Sequence, residues 1–493
     1  MNLNQWCRLD EVIYISQTDE EYKQYAGLDY NEQLISLLAE MKLQNSKTFI
    51  DFFPNQEVAL FLGAVEDIAY SRTKALELKI HHLRNTEIVS SKHMFNGVPV
   101  NWSNWRQFNS HEKTDKNRRE VFDDFINKTK VISPIIEKRF SLINQTYNEY
   151  SNKEGSSFEN GLSPISGYLA NENLTYDTLL RFVKSLGEKA KRPFSKALQD
   201  TSLDLLHRHP EYYDDFYFFR NRVYSDVENS FAFLDPVGEV KRMMKSMDFD
   251  LSNIHFDTEN RKEKYPSPIC FFVEIPSDIR ILYKSESPYF DFQGCFHETG
   301  HAMHATSIDS SCSYSDKYRV SMGVSEIFSI FLERLTRNPS YLLWLRSNVK
   351  NDIEIDRIIA MNNFMDLFFI TFYTANALMK FEYWEKNLTM DKASELYSRL
   401  LREYTGFDMP GEYWLLHHIL PEAIMYVPSY LVAAVRACEL EHYIRDKFGN
   451  MWWKEKEAGE ELREIMKPGA KLDLTIFSKL DISRFMEELV PQT

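Results

Sequence analysis

The sequence predicts a mainly α-helical fold with one small β element, and three observations carry that expectation. Only 16 Gly and 17 Pro occur among 493 residues, about 7% of the chain where average usage gives roughly 12%, so tight turns are few. Apolar residues recur at three- and four-residue spacing over long stretches, the period of a helix with one buried face. A single segment, 266–289, breaks this texture with two short β-prone runs. With 43% hydrophobic and 14% aromatic residues the chain can bury a large core. A many-stranded sandwich or barrel, a collagen-like repeat and low-complexity disorder are excluded.

Taken in order, residues 59–86 and 118–150 carry helical periodicity, the latter with a bend or break expected at Ser133-Pro134. The segment 151–167, rich in Ser, Asn and Gly, reads as a loop. Helical patterning returns at 175–200 and 211–246. The β-prone runs are Ile269 to Glu274 and Ile279 to Lys284, separated by Pro276-Ser277-Asp278 as a turn would separate them. Helical pattern then continues almost to the end, with Gly449 and Gly469 as helix stops. No linker separates independent domains. The expected division is an N-terminal helical half, 1–250, and a second half, 251–493, within one continuous body.

Lys+Arg 58 against Asp+Glu 73 leaves a net charge of −15. An acidic chain without a basic run is a poor partner for phosphate backbones or anionic lipid, so neither nucleic acid nor membrane is expected to bind. The N-terminus has no basic stretch leading into an apolar one, and no run approaches 18 uncharged apolar residues. Five scattered cysteines without CxxC spacing read as thiols in a reducing compartment. The expectation is a soluble cytoplasmic protein, monomer or dimer.

Chemistry concentrates in FQGCFHETGHAMHAT, residues 292–306. His297 and His301 are four apart, which on a helix places both imidazoles on one face, within reach of a single Zn²⁺. Glu298 cannot ligate comfortably beside His297, but it can remove a proton from a metal-bound water. Composition alone produces such an HExxH about 0.05 times per chain, so a third ligand matters. The segment VSEIFSIFLERLT, 324–336, supplies a candidate: Glu326, Ser329 and Glu333 form a narrow polar stripe among Ile, Phe and Leu. Such a stripe ordinarily faces water. Glu326, 25 residues after His301, leaves room for one helix to end and a second to face it.

HETGHAMH followed at that interval by SEIFSIFLE resembles the thimet oligopeptidase and oligoendopeptidase F family of zinc peptidases. The resemblance rests on His297, Glu298, Gly300, His301, His304, Glu326, Ser329 and Glu333. It implies His297, His301 and Glu326 as ligands of one Zn²⁺, Glu298 as catalytic base and short oligopeptides as substrates. It also implies two helical halves around a deep substrate channel, with a small β-sheet beside the active-site helix to align an extended peptide. Downstream, His418 and Tyr430 have the twelve-residue spacing of the family's substrate-binding, oxyanion-stabilising pair. Here the intervening family tyrosine positions hold Ala423 and Val427, with Tyr426 one place off. His417 takes the histidine role if the register slips by one.

Several side chains carry two readings. His304 either touches substrate or is a packed histidine. Ser329 and Glu333 are candidates to orient the ligands, Glu333 by holding an imidazole. Cys295 reads as a small buried group, and Trp452-Trp453 with Met451 as core or as closing a cleft. Related helical zinc enzymes act as carboxypeptidases or dipeptidases, which would need a cation for the substrate's carboxylate; Arg319, Arg334 and Arg436 are the candidates. A non-catalytic helical binding protein is the remaining alternative.

Overall fold

A computed structural model describes the chain except for residues 54–57, 87–88, 103, 152–160, 262–263, 266, 286, 350–352, 417–423, 478–479 and 491–493. Helices dominate, as composition predicts. The longest are Leu3–Ala26, Glu32–Phe52, Val58–Thr86, Asp115–Ser151, Tyr176–Leu206, Ile355–Lys386 and Val427–Phe448. Two compact units are assembled from interleaved segments. One comprises Met1–Ile68, Val227–Ala360 and Val432–Phe485; the other comprises Ala69–Asp226, Met361–Leu431 and Met486–Thr493. Each therefore draws on both sides of residue 250.

In the first unit a three-stranded sheet positions everything that follows. Its strands are β3 (Ile254–Asp257), β4 (Ile269–Glu274) and β5 (Asp278–Leu282), in the order β3-β5-β4. β4 and β5 are the expected antiparallel pair, while β3 lies parallel to β5. The sheet buries both faces by simple alternation. Ile279 and Ile281 pack with Ala302, Ala305 and Ile308 of the helix that follows. Phe271, Val273 and Leu282 pack with Tyr22 and Ala26 of the N-terminal helix. β4 is an edge strand.

Several sequence expectations change. Asp115–Ser151 runs on through Pro134; Ile132, Ile136 and Phe140 are buried around it, and this packing outweighs the lost hydrogen bond. Segment 211–246 is helical in pieces, a series of short elements (Tyr212–Asp214, the π-turn Phe218–Arg222 and Glu228–Phe231) that ends in the eleven-residue α-helix Pro236–Ser246. Of the expected loop 151–167, residues 152–160 lie outside the described residues, and Pro164–Asn171 is a helix capped by Ser163 with Pro in its first turn. A second strand pair, β1 (Val89–Phe95) and β2 (Val98–Asn101), was not expected. It turns on Asn96-Gly97, both at positive φ, which is itself a hairpin signal. Ile355–Lys386 contains an 18-residue window of mean hydropathy 1.3, long and apolar enough to cross a membrane; 67% of that window is buried within the protein, as in a core helix.

Gly449, at φ 84°, ends Val427–Phe448 as expected. Trp452, Trp453 and Cys295 are fully buried. The five cysteines form no disulfide.

Candidate metal centre and active site

The helix Pro288–Ser307 (the site helix) carries the HExxH sequence, and its start is strongly held. Pro288 occupies the first turn. The Asp291 carboxylate accepts from Ser285 Oγ at 2.7 Å and from the Ser287 backbone N–H at 3.2 Å. Glu228 accepts from the Tyr289 backbone N–H at 3.1 Å. Two carboxylates at a helix N-terminus complement its dipole.

Met322–Glu333 (the facing helix) begins at Ser321, whose Oγ accepts from Val324 N at 3.2 Å. It lies directly against the site helix at Gly300. A Cβ on Gly300 would stand 2.3 Å from the Phe328 carbonyl oxygen and 2.6 Å from Ser329 Cα. Only glycine lets the two backbones approach so closely. The polar stripe consequently points inward: Glu326 is 2% exposed and Ser329 is fully buried.

This contact brings the predicted ligands together. One ligand atom from each of His297, His301 and Glu326 lies within 4.8 Å of the others. His297 Nε2 is 3.4 Å and His301 Nε2 3.7 Å from Glu326 Oε2. A tetrahedral ion with bonds of about 2.0–2.1 Å separates its ligands by about 3.3 Å, so these spacings suit a metal at their centre.

Each ligand is held from behind. His297 Nδ1–H donates to Glu333 Oε2 at 2.8 Å. Ser325 Oγ lies 3.0 Å from His301 Nδ1. Ser329 Oγ donates to Glu326 Oε2 at 2.8 Å. With Nδ1 engaged, Nε2 of each imidazole is the atom presented to a metal. Glu333 and Ser329 thus stand where the sequence placed them. Ser325 was missed: its only signal is its place immediately before the acidic ligand, which has meaning once the two helices face each other.

The protonation states also fit a cation. Burial disfavours charge on His297, but the carboxylates of Glu326 and Glu333 outweigh it and hold its pKa well above the usual histidine value. A proton thus resides among these groups in the metal-free site, where a metal would replace the one on Nε2. Burial, helped by the charge on His297 and opposed by Glu326, takes His301 down to about 4, a neutral ligand at ordinary pH. Glu298 is raised to about 7, chiefly by burial, against the pull of His297 and of a hydrogen bond from the Cys270 backbone N–H. That bond joins Glu298 to β4. The donor set of two neutral imidazoles and one buried carboxylate therefore accommodates a divalent metal.

Other predicted residues fall elsewhere. His304 is 3% exposed and packs on Phe328 at 4.5 Å between ring centroids. It packs in the contact between the helices, and this burial favours the packed reading over the substrate-binding one. Tyr430 and Tyr426 belong to the other compact unit. Tyr430 stacks on Tyr373 at 5.5 Å, with Tyr426 edge-on to it at 4.9 Å. His417, His418 and Ala423 lie outside the described residues. Arg319 is committed to Asp67 at 2.8 Å and Asp10 at 3.2 Å, and Arg334 to Glu441 at 2.6 Å.

Comparison with known proteins bears on the fold and the activity class. No curated protein matches the sequence. The whole chain is similar in fold to solved structures at low identity. One titled "BsuCP Crystal Structure" has a TM-score of 0.62 at 14% identity, covering 99% of this chain and 97% of that one. A putative oligoendopeptidase F from Bacillus anthracis gives 0.58 at 14% identity, over 99% and 95%. An M32 carboxypeptidase from Deinococcus radiodurans gives 0.60 at 12% identity, over 99% and 96%. These likenesses establish the mainly helical fold. Residues 245–473, which include β3–β5, the site helix and the facing helix, match the model of peptidase family M3, and that match supports peptidase activity.

Proposed function

We propose that this protein is a zinc metallopeptidase that hydrolyses peptide bonds in short oligopeptides. The observation that carries the reading is the convergence of His297 Nε2, His301 Nε2 and Glu326 Oε2, with the Glu298 carboxylate beside them. Zn²⁺ held by the three supplies Lewis acidity and makes water nucleophilic near neutral pH. Glu298 accepts the proton of the attacking water and delivers it to the leaving amine. β4, an edge strand tied to Glu298 through Cys270, supports the alignment of an extended peptide by main-chain bonds. The family resemblance assigns His418 and Tyr430 to oxyanion stabilisation and short oligopeptides as substrates. The five disulfide-free cysteines support a cytoplasmic setting.

Endopeptidase action is favoured over carboxypeptidase action. Two of the three arginines that would recognise a free carboxylate, Arg319 and Arg334, are already bound to buried carboxylates. A peptide blocked at its N-terminus and the same peptide amidated at its C-terminus separate the two: an endopeptidase cuts both, a carboxypeptidase only the first. The primary test is metal analysis with peptide hydrolysis. The wild type should carry about one zinc per chain, and Glu298→Gln should keep the zinc while losing activity by roughly 10²–10⁴-fold. Less than half an equivalent of zinc, with both proteins equally inactive on mixed peptides, would sink the reading.

A further inference from the structure

Charge is divided unequally between the two units. The unit that holds the metal centre carries 29 Lys+Arg against 42 Asp+Glu, a net −13; the other carries 29 against 31, a net −2. Within the metal-bearing unit the imbalance is strongest in residues 1–68, with 4 basic and 12 acidic side chains. This segment lies close to the chemistry. Its first helix covers one face of the sheet, with Tyr22 and Tyr25 against Phe271 of β4 at 5.6 and 5.8 Å between rings. β4 is the strand that donates to Glu298. Some of the acidic charge is neutralised internally: Asp10 and Asp67 by Lys42 and Arg319, Glu11 by Lys317, Asp19 by Lys23 and Arg280. Asp29, Glu32 and Glu40 are exposed and form no ion pair among the described residues.

We propose that the field of this unit makes cationic oligopeptides the preferred substrates of the metal centre. The inference rests on the peptidase reading and adds a substrate class to it. A one-signed field concentrates oppositely charged ligands and speeds their encounter by 10-fold to 10³-fold at low salt. Screening contracts its range from about 30 Å at 0.01 M salt to a few ångströms at 1 M. The preference is therefore one of encounter, without a dedicated side-chain pocket.

The test uses three doubly blocked peptides, identical around the scissile bond and carrying two Lys, two Gln or two Glu at remote positions. At about 10 mM ionic strength kcat/KM for the Lys peptide should exceed that for the Glu peptide by about tenfold or more, and at about 0.5 M the ratio should approach one. The difference should lie in KM, with kcat unchanged. Asp29→Lys combined with Glu40→Lys should lower the Lys-to-Glu ratio while leaving cleavage of the Gln peptide unchanged. A ratio of one or below at low salt, or one that survives high salt, overturns the proposal while the Gln peptide still reports a working peptidase. If no peptide is cut, the peptidase reading fails and this inference falls with it.

Discussion

At the residue scale, the ligands and their outer partners make distinct predictions. Glu333 gives His297 a charged acceptor at 2.8 Å. Glu333→Gln keeps the shape but removes the charge, so zinc affinity should fall about 10–100-fold, as read by competition with a chelator. Glu298 predicts a pH effect on the metal-free protein. Its folded pKa of about 7 lies above its ordinary value of 4.5, because burial disfavours the carboxylate. The folded state thus holds that proton more tightly than the unfolded state. The stability this confers is full below pH 4.5 and is lost as pH rises through about 7. Metal-free Glu298→Gln should accordingly melt above the wild type at pH 8 and close to it at pH 4.5. A gap that widens towards low pH would contradict the assignment.

At the scale of elements, the contact between the site helix and the facing helix is set by one missing side chain. Gly300→Ala would place a methyl group 2.3 Å from the Phe328 carbonyl, and backbone cannot rotate aside as a side chain can. The helices must separate, drawing Glu326 away from both histidines. Zinc content and activity should fall together while helical circular dichroism persists. This element pair was largely legible in sequence, because HExxH and the Glu326–Glu333 stripe are local repeats of one helical turn. The inward direction of the stripe was not. An isolated helix with three polar residues in line turns them to water; here burial of Phe328, Phe331 and Leu332 on neighbouring positions left Glu326 and Ser329 inside. Segment 211–246 is helical as its spacing predicts, but broken into short pieces before the helix Pro236–Ser246, because helical spacing of apolar residues does not record where one short element ends and the next begins.

At the scale of the molecule, the unit with the candidate metal centre is tied together by buried charge. Arg319 lies in the connection leading to the facing helix, its guanidinium against the backbone of Gly63 and paired with Asp10 and Asp67; Lys42 pairs with the same two carboxylates. Arg319→Met would leave the buried Asp10 and the part-buried Asp67 with Lys42 as their remaining cation, and loss of about 1–3 kcal/mol is expected, measurable by urea denaturation. The sequence offered Arg319 as a substrate-binding cation, since a lone arginine carries no mark of the partners that will consume it. By itself, the sequence determined the helical class, the β4–β5 pair and the candidate ligands His297, His301 and Glu326, because each depends on spacing along short stretches of chain. Tertiary structure decided which polar face turned inward, which hydroxyl stands behind His301, that His304 is packing, and how interleaved segments divide into two units. Those outcomes depend on burial between residues far apart in the chain, and no local period records them.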